Sequence, residues 1–132
     1  MLKLHNTFTK SLETIESNGS DIKIYLCGPT VQSSPHIGHG RSAVVFDFMV
    51  RYIKFSGNKV IFARNITDID DKIIEKSIEE NITYQELGKR VTKEFKDSYD
   101  ALNCLTPDFE PKATETIDQM IELIDDLIEK NY

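Results

Sequence analysis

The pattern of hydrophobic and polar positions in the first half of the chain predicts a strand, a helix and a second strand. DIKIYLCG (Asp21–Gly28) alternates and ends in Gly-Pro, which is typical of a strand followed by a turn at Gly28-Pro29. RSAVVFDFMVRYIKF (Arg41–Phe55) is apolar on nearly every side, which predicts a mostly buried helix that ends at SGN. KVIFARNI (Lys59–Ile66) is rich in β-branched and aromatic residues and predicts the second strand. This order indicates a βαβ unit with parallel strands.

The second half of the chain predicts helices. DKIIEKSIEEN (Asp71–Asn81) suits a short helix, and a longer helix opens on Thr83 with Glu86 in a capping-box pattern. Six residues of the longer helix fall near one face: Tyr84, Leu87, Val91, Phe95, Ser98 and Leu102. The proline-bearing loop TPDFEPKA follows. A clean helical stripe then comprises Ile117, Met120, Ile121, Ile124, Leu127 and Ile128. Because this stripe stops without an obvious cap, we expect the sequence to be cut from a longer one.

Length and composition fit one soluble domain. The 132 residues are 39% hydrophobic and 29% charged, enough to bury a core. No apolar run approaches the ~20 residues that span a bilayer, and the N-terminus lacks the apolar region of a signal peptide. Two cysteines form no disulfide framework, so we expect both to be reduced and the protein to be cytoplasmic. A net charge of −6 argues against sequence-independent binding to nucleic acid.

Chemically capable and helix-breaking residues concentrate in CGPTVQSSPHIGHG, residues 27–40. Ligands of open parallel sheets bind at the carboxyl ends of strands, beside helix N-termini whose free N–H groups suit phosphate. Gly38 lets a ligand approach the backbone. His36 and His39 are three residues apart, so both could donate hydrogen bonds to one phosphate. By itself, the pair could also be a partial metal site or two surface histidines, and Cys27 a small buried apolar residue.

RNITDIDDK (Arg64–Lys72) ends the second strand and is expected to face the same crevice. We expect Thr67, Asp68 or Asp70 to be the N-cap of the next helix. A carboxylate or hydroxyl among these residues that does not serve as the N-cap could bind an amino group or a ribose. The acidic spacing does not fit a calcium loop, and Cys104 is expected to be structural.

Taken together, these segments resemble one family. PHIGH is similar to the HIGH signature of class I aminoacyl-tRNA synthetases. LKLHNTFT, YLCGPTV, HIGHGRS, VVFD, RNITDIDDKII, DALN and PDFEPKAT resemble cysteinyl-tRNA synthetase in order and spacing, from Leu2 to Tyr132. The resemblance implies an α/β fold. Residues 1–70 would be the N-terminal half of a Rossmann-like nucleotide-binding domain, and residues 71–132 the helical start of a connective insertion, truncated in this chain.

The resemblance also implies roles for individual residues. His36 and His39 match the signature histidines that stabilise the reacting phosphates of ATP. Gly38 matches the glycine beneath the adenine and ribose. Three further residues match positions that line the cysteine and adenylate site: Gly28, Thr30 and Thr67.

Cys27 matches a zinc ligand of that family, in which the metal also takes the substrate thiolate. Zinc prefers thiolate sulfur to a hydroxyl, so it can distinguish cysteine from serine. The other zinc ligands, the lysine loop that grips ATP and the anticodon-reading region would come from beyond Tyr132. The implied partners are ATP with Mg²⁺, L-cysteine and tRNA-Cys, in a monomeric parent protein that does not bind membranes. Half an active site predicts negligible cysteine activation by this chain alone.

Gln32-Ser33 stands where many family members carry Tyr-Asp, which alters the loop before the signature. Two alternatives remain. The first is the related ligase that joins cysteine to an amino sugar in mycothiol synthesis, although that family resembles HLGH and QNVTDVDDP. The second is a non-catalytic module that binds a nucleotide, a tRNA end or a protein.

An open sheet edge and an uncovered side of the 41–55 helix also predict self-association or a partly molten state.

Overall fold

Four strands and four α-helices make up the computed structural model, which describes residues 2–15 and 21–132. The elements are β1 (Lys3–Asn6), β2 (Ser11–Thr14), β3 (Ile22–Leu26), α1 (Ile37–Phe55), β4 (Val60–Arg64), α2 (Asp71–Glu79), α3 (Tyr84–Ala101) and α4 (Ile117–Glu129), with one 3₁₀ turn at Ala113–Glu115. β1 and β2 form an antiparallel hairpin that the sequence analysis missed, because both strands are short and mostly exposed. Within the described stretches, none of the helices has the length and apolar character needed to cross a membrane.

β3 and β4 pair in parallel, which confirms the βαβ unit. The pairing continues beyond both strands, because Thr67 N–H donates to the carbonyl of Pro29 at 3.0 Å and Val31 N–H donates to the carbonyl of Thr67 at 3.1 Å. The turn predicted at Gly28-Pro29 lies instead at Val31 and Gln32. The two segments that follow the strands are therefore held side by side.

The TPDFEPKA segment, predicted as a loop, covers the outer edge of β4. Asp108 N–H donates to the carbonyl of Phe62 at 2.8 Å, and Arg64 N–H donates to the carbonyl of Phe109 at 3.0 Å. Two prolines in the segment cannot donate, which prevents a regular strand. The open edge predicted from the sequence therefore does not lie at β4. Among the described residues, the outer edge of β3 has no backbone partner.

Among the described residues, two apolar clusters stabilise the fold. The larger joins α3 to α1, α2 and the segments that follow β3 and β4: Val31, Ala43, Ile66, Ile73, Leu87, Val91, Phe95 and Tyr99. The smaller lies between α1 and β4: Val50, Ile53, Val60 and Phe62. As predicted, Thr83 and Glu86 form a capping box: the Thr83 hydroxyl accepts from Glu86 N–H at 3.2 Å, and the Glu86 carboxylate accepts from Thr83 N–H at 3.0 Å.

α1 begins at Ile37, four residues before the predicted start at Arg41, because His36 caps it. Its buried residues are Ala43, Val50 and Ile53, so the prediction of a mostly buried helix is wrong for this chain. The uncovered side that the sequence also predicted is present. α4 forms as its stripe predicted, but every one of its residues is exposed.

Candidate active site

A cavity of about 280 Å³ opens at the carboxyl ends of β3 and β4, beside the N-terminus of α1. Four of the seven predicted site residues line it: Cys27, Gly28, Thr30 and His39. The other three lie next to these: Thr67 pairs with Thr30, the His36 ring packs at a tilt against the His39 ring, and Gly38 contacts His36. The structure therefore gathers the predicted residues at one edge of the sheet.

His36 and His39 cap the first turn of α1 with their own rings. Nδ1 of His36 accepts a hydrogen bond from Gly38 N–H at 3.1 Å, and Nδ1 of His39 accepts one from His36 N–H at 3.2 Å. Because each Nδ1 is an acceptor, each neutral ring carries its proton on Nε2. The backbone thus fixes the tautomer of both imidazoles, which leaves one Nε2–H donor per ring at the helix N-terminus. The sequence predicted the pairing but not this capping role.

The surroundings of His39 favour its neutral form. Its ring lies 3.9 Å from the His36 ring and 4.9 Å from the Phe95 ring, between centroids. Burial lowers the pKa of His39, and the charge of a protonated His36 would lower that pKa further. A Cβ on Gly38 would lie 2.9 Å from Cε1 of His36. Glycine at position 38 therefore leaves room for the His36 ring to make its cap.

We expect the N-terminus of α1 to lose stability as the pH falls below about 6.5, the ordinary pKa of histidine. Since folding lowers the pKa of His39, the unfolded chain binds this proton more tightly. The free energy of unfolding therefore decreases as the pH falls through the range between the two pKa values. Protonation also removes the Nδ1 acceptor that completes the cap. Urea unfolding between pH 8 and pH 5, with NMR of the His36 and Gly38 amides, measures both effects.

The control for this titration is His5→Asn on the exposed β1 strand, which should retain the full pH dependence. His39→Asn should reduce it, because asparagine does not titrate in this range. A free energy of unfolding that is the same at both ends of the range would contradict the expectation.

Asn65 ties the two site segments together. Its side-chain carbonyl accepts from Gly28 N–H at 2.8 Å, and its amide donates to Oγ1 of Thr67 at 3.2 Å. A Cβ on Gly28 would lie only 1.6 Å from the backbone carbonyl oxygen of Asn65. The sequence analysis did not single out Asn65, although an amide directly after a strand is a signal for such a bridge.

Arg64 and Tyr99 line the cavity and were also missed. The Arg64 side chain is 7% exposed. Its Nη2 donates to Oε1 of Glu110 at 2.9 Å, and its guanidinium carbon lies 4.3 Å from the centroid of the Tyr99 ring. Lys96 contacts the same carboxylate at 2.6 Å. Arg64 therefore places a guanidinium, paired with Glu110, at the wall of the cavity.

Cys27 is exposed at the cavity and is a free thiol. The residues that the structure describes contain no group of three or more His, Cys, Asp or Glu side chains that could hold a metal ion. Zinc in proteins is held by three or four protein ligands. Cys27 alone therefore does not fit a zinc site.

The other residues that the sequence analysis considered make contacts that stabilise the fold. Asp70 is the N-cap of α2 and accepts from Lys72 N–H at 3.0 Å. Asp68 accepts from the backbone N–H and the hydroxyl of Thr114, at 3.0 and 2.6 Å. Cys104 is half-buried against the larger cluster, and burial raises the pKa of its thiol, which agrees with the structural role expected for it.

Known proteins resemble the chain along its whole length. The family described as tRNA synthetases class I (C) catalytic domain matches residues 13–132. The cysteine–tRNA ligase of Wolbachia pipientis subsp. Culex pipiens is 47% identical, over 100% of this chain and 29% of the relative. Those of Maridesulfovibrio salexigens and Rickettsia prowazekii are 48% and 47% identical, over 99% of this chain and 27% and 29% of the relatives.

A solved structure shows the same fold. Mycobacterium tuberculosis methionyl-tRNA synthetase, in complex with methionyl-adenylate, superposes with a TM-score of 0.61 and 19% sequence identity, over 67% of this chain and 18% of that chain. This likeness confirms the predicted α/β fold class. The chain spans less than a third of the length of the curated relatives named above. It belongs to the cysteine–tRNA ligase family of class I tRNA synthetases.

Proposed function

We propose that this chain forms part of the active site of a cysteine–tRNA ligase, which activates cysteine with ATP and transfers it to tRNA-Cys. The observation that carries the proposal is the histidine capping box. It places two Nε2–H donors at the N-terminus of α1, and the His39 ring lines the same cavity as Cys27. Hydrogen-bond donors fixed in place before reaction stabilise charge that develops on a phosphate.

In the proposed site, His36 and His39 bind the phosphates of ATP, which enters with Mg²⁺. The positive end of the α1 dipole attracts the same anion, and the Arg64 guanidinium at the cavity wall is a further cation near it. Gly38 provides the close approach for adenosine. That the structural relative was solved in complex with methionyl-adenylate is consistent with an adenylate as the ligand.

Gly28, Thr30 and Thr67 are proposed to surround the cysteine. Asn65 already donates to Oγ1 of Thr67, so the Thr67 hydroxyl proton remains available to a ligand. Cys27 is proposed as one zinc ligand. Since the described residues do not complete a zinc site, the remaining ligands would have to come from outside them.

The proposed organisation follows from the same family. Residues 1–70 would be the first half of the Rossmann-like domain, and residues 71–132 the start of the connective insertion near the tRNA acceptor end. The longer protein would be a cytoplasmic monomer. That the chain covers only 29% and 27% of two relatives supports a longer parent protein.

Replacing the N-terminal part of the Rickettsia prowazekii relative with residues 1–132 of this chain would test the proposal. The chimera should catalyse cysteine-dependent ATP–pyrophosphate exchange and charge tRNA-Cys, whereas this chain alone should do neither. His39→Ala in the chimera should lower kcat by about 10²–10³-fold, as expected for loss of one preorganised donor.

The matched control is His5→Ala, which also removes a histidine but lies on exposed β1. It should leave kcat unchanged. A chimera that folds, as judged by circular dichroism, yet activates no cysteine would overturn the proposal. ATP–pyrophosphate exchange by the 132-residue chain alone would show instead that cysteine activation needs no residues beyond this chain.

A further inference from the structure

Two helices of the chain leave large apolar faces uncovered. On α1, the exposed apolar side chains lie along one stripe: Ile37, Val44, Val45, Phe48, Tyr52 and Phe55. Phe48 is 70% exposed and Phe55 is 89% exposed. Solvent-exposed aromatic side chains in one stripe are typical of an interaction surface.

Positive charge lies within and beside the α1 stripe. At about 100° per residue, Arg41 falls within the stripe and Arg51 at its edge, whereas Lys54 lies on the far side of the helix. The single acidic residue of α1, Asp47, is held by Arg51 at 2.7 Å and also accepts from Leu105 N–H. With three basic residues and one acidic residue, α1 carries a net charge of +2.

The exposed helix α4 has the opposite character. Its apolar side chains occupy one side: Ile117, Met120, Ile121, Leu123, Ile124, Leu127 and Ile128. Its five charged residues are all acidic and occupy the other side: Asp118, Glu122, Asp125, Asp126 and Glu129. A helix of 13 residues is marginal in water without packing against another element.

Charge favours one pairing of these faces. Packing α4 against α4 of a second copy would bring two helices of charge −5 together, whereas packing α4 against α1 brings −5 to +2. The lengths also suit each other, because α4 is about 20 Å long and α1 about 28 Å. We propose that the 132-residue chain self-associates by docking α4 of one copy onto the α1 stripe of a second copy.

The reciprocal form of this contact is a two-fold symmetric dimer, in which each copy gives its α4 and receives the other's. The contact then occurs twice, and both uncovered faces are buried. The proposal concerns the chain of 132 residues itself, because further sequence in a longer protein could cover the same two faces.

Analytical ultracentrifugation of the purified chain tests the proposal. Between about 5 and 200 µM, a range that detects micromolar dimers, the average mass should rise from 15.1 kDa toward twice that value. Added salt should weaken association, because it screens the attraction between α4 and α1. Salt would strengthen a contact between two acidic α4 helices, so that result would overturn the proposal.

Two variants test the α1 stripe and the apolar side of α4 separately. Phe48→Asp on α1 and Ile124→Asp on α4 should each weaken self-association by at least about 30-fold, as for loss of a central contact residue. Both side chains are exposed, so circular dichroism should show the wild-type fold. A matched control is Phe8→Asp, which removes a 93% exposed phenylalanine from the β1–β2 hairpin and should change nothing.

Mixing the two variants supplies the decisive measurement. The Phe48→Asp chain keeps its α4, and the Ile124→Asp chain keeps its α1 stripe, so the mixture retains one intact contact and should associate more tightly than either variant alone. A mixture that stays monomeric, or a wild-type chain that stays monomeric at the highest concentration, would overturn the proposal.

Discussion

Replacing Gly28 with alanine is expected to destabilise the chain by at least about 3 kcal/mol. The added Cβ would lie 1.6 Å from the carbonyl oxygen of Asn65 and 2.7 Å from its carbonyl carbon. Backbone atoms cannot move aside as a flexible side chain can, so the segments after β3 and β4 must separate. That separation also breaks the hydrogen bond from Gly28 N–H to Asn65. Small domains have a free energy of unfolding of only about 5–15 kcal/mol, so the loss is a large fraction of the total.

Urea unfolding followed by circular dichroism measures this effect. Gly88→Ala is the matched control, because a Cβ there would lie 3.7 Å from the nearest atom, the carbonyl oxygen of Asp68. Gly88 is buried within α3, where alanine is favoured over glycine by about 1 kcal/mol. The control should therefore be slightly stabilised. A Gly28→Ala chain as stable as wild type would show that the two segments are not in contact.

Glu110→Gln is expected to cost about 3 kcal/mol, the loss found when one member of a buried ion pair is removed. The variant leaves the Arg64 guanidinium buried without its charged partner, and Nε of Arg64 already has no hydrogen-bond partner among the residues that the structure describes. Burial acts to raise the pKa of Glu110, but the hydrogen bonds and charges of Lys96 and Arg64 outweigh it and hold that pKa below its usual value. The ion pair therefore stabilises the fold fully at pH values above about 4.3, the ordinary pKa of glutamate. This contribution disappears as the pH falls through the lowered pKa of Glu110 in the folded chain.

Comparison of unfolding at neutral and acidic pH tests this expectation. The wild-type chain and Glu110→Gln should differ most at pH 7 and converge as the pH falls below the carboxyl pKa. Asp97→Asn is the control: it breaks the exposed pair with Lys93, where the two side chains are 61% and 75% exposed, and should cost less than about 1 kcal/mol. Equal losses in the two variants would mean that Arg64 is not buried with Glu110 in solution.

The sequence predicted those elements that depend on patterns among a few neighbouring residues. The alternation of β3, the β-branched content of β4 and the Thr83 capping box each depend on a few neighbouring residues, and the structure has all of them. The cluster of site residues was predictable for a related reason: parallel strands end at one edge, so Cys27 and Thr67 had to lie near each other. The HIGH resemblance then assigned the chemistry, which no single residue could indicate.

Features that depend on distant parts of the chain were not predictable. Glu110 gives no sign in the sequence that it will meet Arg64, 46 positions earlier. Pro111 indicates a loop, and the segment is irregular, yet it pairs with β4 because strand edges accept any backbone that offers N–H and carbonyl groups. The early start of α1 was missed because histidine is not among the usual N-cap residues.

The pairing of residues 108–113 with β4 sets an order for folding. Phe62 N–H donates to the Asp108 carboxylate across 46 positions, whereas the two site histidines bond within one helical turn. Contacts that close long loops form slowly, and a ribosome delivers the N-terminal residues first. During synthesis, the histidine-capped turn of α1 can therefore take shape while the Arg64 wall of the cavity is still incomplete. The outer edge of β4 is covered only after residue 113 has left the exit tunnel.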